Sequence, residues 1–190
     1  MNVLHESVPI GYVDKVLDKS QPCFVDFETL GLYGDIVLAQ FLQDGWNEAL
    51  LVEYPNMKRL QDLLLEAWVV THPISYDMGT LEISPRRIDD LQYACKTAYP
   101  LQEGYSLADS APQFYVGIVK RDMQKSFMKK REAFTEEQLQ YGALDVYALQ
   151  WLWHRDDVQD VLNDNLAYKV DIKNQGYALT FQHYGMPVIA

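Results

Sequence analysis

Residues 23–35, CFVDFETLGLYGD, set two carboxylates one residue apart inside an apolar run and then turn on glycines. In a strand, residues two apart project to the same face, so Asp26 and Glu28 point together while Val25, Phe27 and Thr29 face the other way. A buried charge is costly unless it is paired or holds a metal. Taken alone, the pair fits a solvent-facing edge strand as well as a shared cation, and the rest of the chain has to decide.

The neighbouring runs give the strand its setting. PCFVDFET, DIVLAQFLQ and NEALLVEY are short, rich in Val, Phe, Ile and Leu, and separated by LGLYG and DGW, which predicts a meander of three strands. NMKRLQDLLLEA shows helical periodicity and leads into the apolar run WVVTH, so a mixed sheet with a helical crossover is expected. SYDMGTL is expected to start a helix at Ser75, and RRIDDLQYACKTAYP reads as a brief strand followed by a helix that Pro100 ends. Beyond it the chain reads as mainly helical. Thr135 and Gln138 form a capping-box pattern, with Glu136 and Glu137 favourable in the first turn, so a long helix is expected over TEEQLQYGALDVYALQWLW. The tail from Asp156 is acidic at first and then alternates apolar and polar residues without a core of its own.

That long helix carries a second carboxylate site. Tyr141 and Asp145 stand at i and i+4, and the stripe continues through Ala148, Leu149 and Leu152, so Asp145 lies on the face that looks toward the core. Asp is a poor interior helix former, which makes its position there informative. Gly142 beside it allows a close approach of helix to sheet. Asp77 falls just inside a helix start, where the helix dipole alone accounts for a carboxylate. Asp89 and Asp90 follow a short strand, where capping explains at least one of them, and neither is given a catalytic role. Asp26, Glu28, Asp77 and Asp145 together offer hard oxygen ligands with no Cys or His cluster, which suits Mg²⁺ or Mn²⁺ rather than zinc. Two such ions about 3.5 to 4 Å apart form a clamp for in-line displacement at phosphorus.

A chain of 190 residues, nearly half of them apolar, predicts one compact domain. The start lacks a signal-peptide pattern and no stretch approaches ~20 apolar residues, so a cytoplasmic protein, or one inside a host cell if viral, with no membrane partner is expected. Cys23 and Cys95 are expected to be reduced packing residues. The net charge of −11 argues at first against nucleic acid. The objection weakens locally, because KRDMQKSFMKKR, residues 120–131, sets Lys120, Arg121, Lys125, Lys129, Lys130 and Arg131 against the single acid Asp122.

FVDFET, THPISYDMGTL and EEQLQYGALDVYAL resemble, in order, the three motifs of the DEDD superfamily of 3′-to-5′ exonucleases. The last motif, Y-x-x-x-D at Tyr141 and Asp145, is similar to the DEDDy branch. The resemblance covers roughly residues 20–155 and implies a ribonuclease H-like α/β fold, a mixed sheet flanked by helices. It implies that Asp26 bridges two metal ions, that Glu28 and Asp145 complete the first site, and that Asp77 holds the second, partly through water. Tyr141 would orient the attacking water, since a phenol of pKa about 10 is no strong base at neutral pH. Thr29 and Leu32 match positions that contact the terminal nucleotide. Where the second motif commonly reads Gly-His-Asn or Gly-Gln-Asn, this chain has Thr71, His72 and Pro73, so the usual Asn contact is missing; His72 is a candidate to touch the strand, with a satisfied structural histidine as the alternative.

Two branches compete within this resemblance. Residues 156–190 look like the segment that leads from a proofreading exonuclease, residues 1–155, toward a family A DNA polymerase, with HYGMPV similar to its end. That implies DNA as substrate, single-stranded or frayed at its 3′ end, in replication or repair, and a separate DNA polymerase as a partner. The alternative is a ribonuclease D-like enzyme trimming RNA; a third reading is a non-catalytic module that binds a polymerase or nucleic acid. Lys120, Arg121 and Lys125 would track phosphates.

Overall fold

In chain order the elements are β1 (His5–Ser7), α1 (Ile10–Val16), β2 (Pro22–Thr29), β3 (Ile36–Gln43), β4 (Ala49–Glu53), α2 (Met57–Glu66), β5 (Trp68–Thr71) and α3 (Ile74–Leu81). There follow β6 (Arg87–Asp90), α4 (Leu91–Ala98), α5 (Leu107–Ser110), α6 (Lys120–Phe127), α7 (Glu136–Trp153), α8 (Asp156–Asp164) and α9 (Leu166–Tyr184). The structure, a computed structural model, describes residues 3–31, 34–118, 120–128 and 133–184.

The expected meander is present: β2 pairs antiparallel with β3, and β3 antiparallel with β4. β5 and β6 add in parallel on the β2 side and β1 in parallel on the β4 side, giving a six-stranded sheet in the order β1-β4-β3-β2-β5-β6. β1 and α1, three and seven residues long, are too short to show a period in the sequence. At the end of β2 the register slips, Glu28 facing Leu38 and Thr29 facing Ile36, so Val37 is the extra residue of a bulge beside the carboxylates.

Alternation along the strands divides the core. Cys23, Val25 and Phe27 of β2 pack with α1, α2 and α3 on one face. Phe24 packs on the other with Leu38, Leu42 and the α7 residues Leu144, Ala148, Leu149 and Leu152. Asp26 and Glu28 share the parity of Phe24 and so stand on the α7 side. The two cysteines are buried and free, one in each layer.

The helix ends follow the sequence closely. Thr135 and Gln138 make both bonds of the capping box, and Asp90 caps α4 by accepting from the Tyr93 N–H. Gly142 brings α7 down onto the sheet: a Cβ there would stand 2.9 Å from Gln40 Nε2 and 3.0 Å from Leu38 Cδ2. The alternation in the tail resolves into helices, not strands. Val158, Val161 and Leu162 of α8 and Tyr168 of α9 join the α7-side core, and Ile172, one turn after Tyr168, packs against it. Among the described residues no helix is long and apolar enough to cross a membrane.

Candidate metal centre and cleft

Asp26 and Glu28, projected from β2, meet Asp145, projected from α7 where it crosses that strand. One carboxylate oxygen from each lies within 4.8 Å of the others. The three line a cavity of about 460 Å³ together with Thr29 at the end of β2 and Gly31 just past it, His72 and Pro73 past the end of β5, and Tyr76 and Asp77 on α3. Crevices at the carboxyl ends of strands are where open α/β sheets take ligands. Gln92, Ser106, Leu107, Gln124 and Met128 also line it.

Asp77 is buried at the wall of this cavity, and its carboxylate accepts the hydroxyl hydrogen of Thr71. Burial, and then the charges of Asp90 and Asp145, push its carboxyl up to about 7 against the pull of the Thr71 hydroxyl and the His72 backbone N–H. Among the described residues lining the cavity none is Lys or Arg. A set of carboxylate oxygens gathered at one point fits a divalent cation held by oxygen ligands. Asp26, Glu28 and Asp145 would be its ligands, with Asp77 placed to serve the neighbouring position.

Tyr115 donates its hydroxyl hydrogen to Oδ1 of Asp145. Burial and the adjacent Asp145 charge raise its pKa far above the ordinary phenol range, so it stays a donor. Tyr141, one turn before Asp145, is buried, and its hydroxyl has no hydrogen-bond partner among the described residues. Its ring packs against Phe127 of α6 with centroids 6.3 Å apart, and it lines a second cavity of about 320 Å³ with Asp122, Met123, Glu137 and Leu144. Burial, followed by the charges of Asp145, Glu28 and Asp26, keeps this phenol protonated as well.

Thr29 Oγ1 donates to the Gly31 carbonyl at 2.6 Å and lies 2.8 Å from the Tyr76 hydroxyl. His72 is buried at the cleft wall. Lys125 is exposed on α6, which gives Gln124 to the cleft. α6 opens at Lys120 and Arg121, whose side chains lie outside the described ones, as do Leu32, Lys129, Lys130 and Arg131 altogether. Sequence reasoning missed Thr71, Tyr76, Tyr115 and Gln40. Thr71 was in view as a departure from the family pattern, and Tyr76 adjoins Asp77. Tyr115 lies 30 residues before its partner, with no local signal. Gln40 stands opposite Asp26 in the β2–β3 register, fully buried, with neither side-chain polar atom bonded among the described residues.

No protein-family model matches the sequence, and no curated protein matches it. Solved structures do. Trypanosoma brucei RNase D in complex with RNA U12 has a TM-score of 0.70 at 16% identity, over 99% of this chain and 73% of that one. Brucella melitensis NrnC with bound Mg²⁺ has a TM-score of 0.63 at 17% identity, over 100% of this chain and 99% of that one. Escherichia coli RNase D, an exoribonuclease involved in structured RNA processing, has a TM-score of 0.60 at 16% identity, over 100% of this chain and 52% of that one. The likeness establishes the fold: a mixed six-stranded sheet flanked by helices, of the ribonuclease H-like type that the three motifs imply.

Proposed function

We propose that the protein is a divalent-cation-dependent 3′-to-5′ exonuclease that hydrolyses RNA from its 3′ end to nucleoside 5′-monophosphates. The observation that carries this reading is the meeting of Asp26, Glu28 and Asp145, their oxygens within 4.8 Å, in an open cleft. RNA takes the place of the DNA expected from the sequence. The structures of this fold that the chain resembles include RNase D with RNA U12 and NrnC bound to pGG. The polymerase-like pattern HYGMPV ends in residues 185–188, outside the described ones.

Asp26, Glu28 and Asp145 would hold Mg²⁺ or Mn²⁺, with Asp77 serving a second ion. Such ions supply Lewis-acid stabilisation of the phosphate charge and lower the pKa of the attacking water. The chain's own side chains set the geometry. Tyr115 fixes the Asp145 carboxylate and Thr71 fixes that of Asp77. Tyr141, a neutral phenol, suits an orienting role toward the attacking water rather than that of a base. The water oxygen forms the new bond to phosphorus, the bond from phosphorus to the 3′ oxygen of the penultimate nucleotide breaks, and that oxygen leaves with a proton. Lys125 and the rest of the basic segment would meet phosphates further along the strand.

A 5′-labelled RNA strand incubated with Mg²⁺ or Mn²⁺ tests this. The expected result is a ladder shortening from the 3′ end, abolished by chelator and slowed about 10³-fold or more in Asp26→Asn, the loss of several kcal/mol of charge stabilisation. Cation-dependent shortening retained by Asp26→Asn would refute the assigned site. A DNA strand of the same sequence, cut faster, would restore the DNA reading, and binding without cleavage would favour the non-catalytic one.

A further inference from the structure

We infer that a ladder of four aromatic rings, Tyr54–Phe134–Phe127–Tyr141, holds the Tyr141 phenol in place, so that Tyr54 and Phe134 are positioning residues for it. The inference rests on the exonuclease reading of the cleft and on the orienting role proposed for Tyr141.

A hydroxyl that orients another group has to be held itself. That of Tyr141 has no hydrogen-bond partner among the described residues, so packing on its ring has to set where it points. The ring borders the second cavity, about 320 Å³, together with Met123 and Leu144, and there it has open space to turn into. Phe127 meets the ring with centroids 6.3 Å apart. Phe127 in turn meets Phe134 at 5.7 Å, and Phe134 stacks on Tyr54 at 5.4 Å with the planes 20° apart. Aromatic pairs at about 4.5 to 7 Å attract beyond the area that they bury. The ladder thus runs from the buried Tyr141 and Phe127 through the half-buried Phe134 to the exposed Tyr54.

Its rungs are anchored to the elements that build the site. Phe127 closes α6, and Ser126 beside it accepts from Nε2 of Gln138 on α7 at 3.0 Å. Phe134 directly precedes Thr135, the N-cap of α7. Tyr54 follows β4, and its backbone N–H donates at 2.8 Å to the carbonyl of Val37, the bulge residue beside the carboxylates. Tyr54 also has a φ of 48°, in the left-handed region that favours glycine. Such strain persists where the surrounding structure requires it, often near functional sites. A glycine would sit there without strain and would bring no ring to Phe134. Loss of an outer ring frees Phe127 to shift and Tyr141 to turn toward the cavity, while the carboxylates that would hold the cation stay where they are.

The test measures the single-turnover rate on 5′-labelled RNA, strand affinity by fluorescence anisotropy and Mn²⁺ affinity by calorimetry. Phe134→Leu and Tyr54→Ala should each slow cleavage roughly three- to tenfold, the range set by one aromatic pair, with both affinities unchanged. Tyr54→Phe keeps the ring and should keep the wild-type rate. Tyr54 is exposed, so its variants keep the test available where Phe134→Leu weakens folding. In a Tyr141→Phe background the same outer-ring substitutions should change the rate less than about twofold, because the hydroxyl that they misplace is gone. A ring that only packs the core would lower the melting temperature in both backgrounds and multiply the two losses of rate, and that result would overturn the inference, as would a Tyr54→Phe as slow as Tyr54→Ala. A readout without turnover separates the two readings: the ¹⁹F resonance of 3-fluorotyrosine placed at position 141 should move in Phe134→Leu and in Tyr54→Ala. A moved resonance in a protein that cleaves nothing keeps the ladder and sinks the exonuclease reading. Cleavage with an unmoved resonance and independent losses does the reverse.

Discussion

Tyr115 gives its hydroxyl hydrogen to Asp145 across 30 residues of sequence, and Tyr141, on the same helix as Asp145, keeps its hydroxyl buried and unbonded among the described residues. Two phenols thus crowd one carboxylate with opposite consequences. Removing the Tyr115 hydroxyl takes a donor from a buried carboxylate, which costs about 1–3 kcal/mol, and loosens a proposed metal ligand. In Tyr115→Phe the melting temperature should fall and the Mn²⁺ affinity should drop about tenfold or more, as for other residues that orient a metal ligand. Unchanged Mn²⁺ binding in a calorimetric titration would show that Tyr115 does not orient Asp145.

Tyr141→Phe should separate stability from turnover. Its hydroxyl is desolvated without a bond in return among the described residues, so its removal should leave the melting temperature unchanged or raise it. If the phenol orients water in the transition state, kcat falls by about tenfold for each 1.4 kcal/mol lost. A melt and a single-turnover rate on one preparation check both halves, and a variant as fast as the wild type would remove Tyr141 from the mechanism.

The legible parts of the fold are those fixed by local chemistry. The period-2 strands, the Thr135–Gln138 capping box and the close approach at Gly142 each follow from a few adjacent residues. The cluster of Asp26, Glu28 and Asp145 was legible for the same reason, since one strand face and one helix face define it. What escaped is pairing at a distance. The contacts of Tyr115 with Asp145 and of Tyr168 with Asp89 span 30 and 79 residues and leave no periodic trace. The bond from the Thr29 hydroxyl to the Gly31 carbonyl depends on a turn that only coordinates reveal.

Gln40 predicts a stabilising substitution. It is fully buried opposite Asp26, and its amide atoms have no partner among the described residues. Gln40→Met keeps the volume and removes the desolvated amide, so stability should be unchanged or gain on the order of 1 kcal/mol. A urea melt checks it. A loss of more than about 1 kcal/mol would show that the amide has a bonded partner such as a buried water.

Asp77 gives the metal-free protein a pH dependence. Its folded-state pKa stands at about 7, raised chiefly by burial, against about 4 in an unfolded chain. Between these values the unfolded chain releases a proton that the folded one keeps, so stability is fully present below pH about 4 and is lost as pH rises toward about 7. Asp89 and Asp90, also raised mainly by burial, act in the same direction. In chelator, the melting temperature of the wild type should fall relative to Asp77→Asn between about pH 5 and pH 8. Mg²⁺ or Mn²⁺ should raise the wild-type value more at the upper end, because the ligand stabilises the ionised folded state. Parallel curves for the two proteins in chelator would contradict the assignment.

Tyr168 ties the last helix to the wall that carries Asp77. Its hydroxyl accepts from the Asp90 backbone N–H at 3.1 Å and donates to Asp89 Oδ1 at 3.0 Å. Asp90 in turn caps α4 through Tyr93 and accepts from the Ile74 N–H at 3.2 Å in the first turn of α3. Tyr168→Phe leaves a buried N–H and a mostly buried carboxylate each short of a partner, a cost of about 1–3 kcal/mol. If α9 holds β6 and α3 as one unit, the loss should extend to them: amide hydrogen exchange should quicken at Ile74 to Leu81 as well as in α9. Faster exchange confined to α9 would mean that the helix leans on the sheet without bracing Asp77.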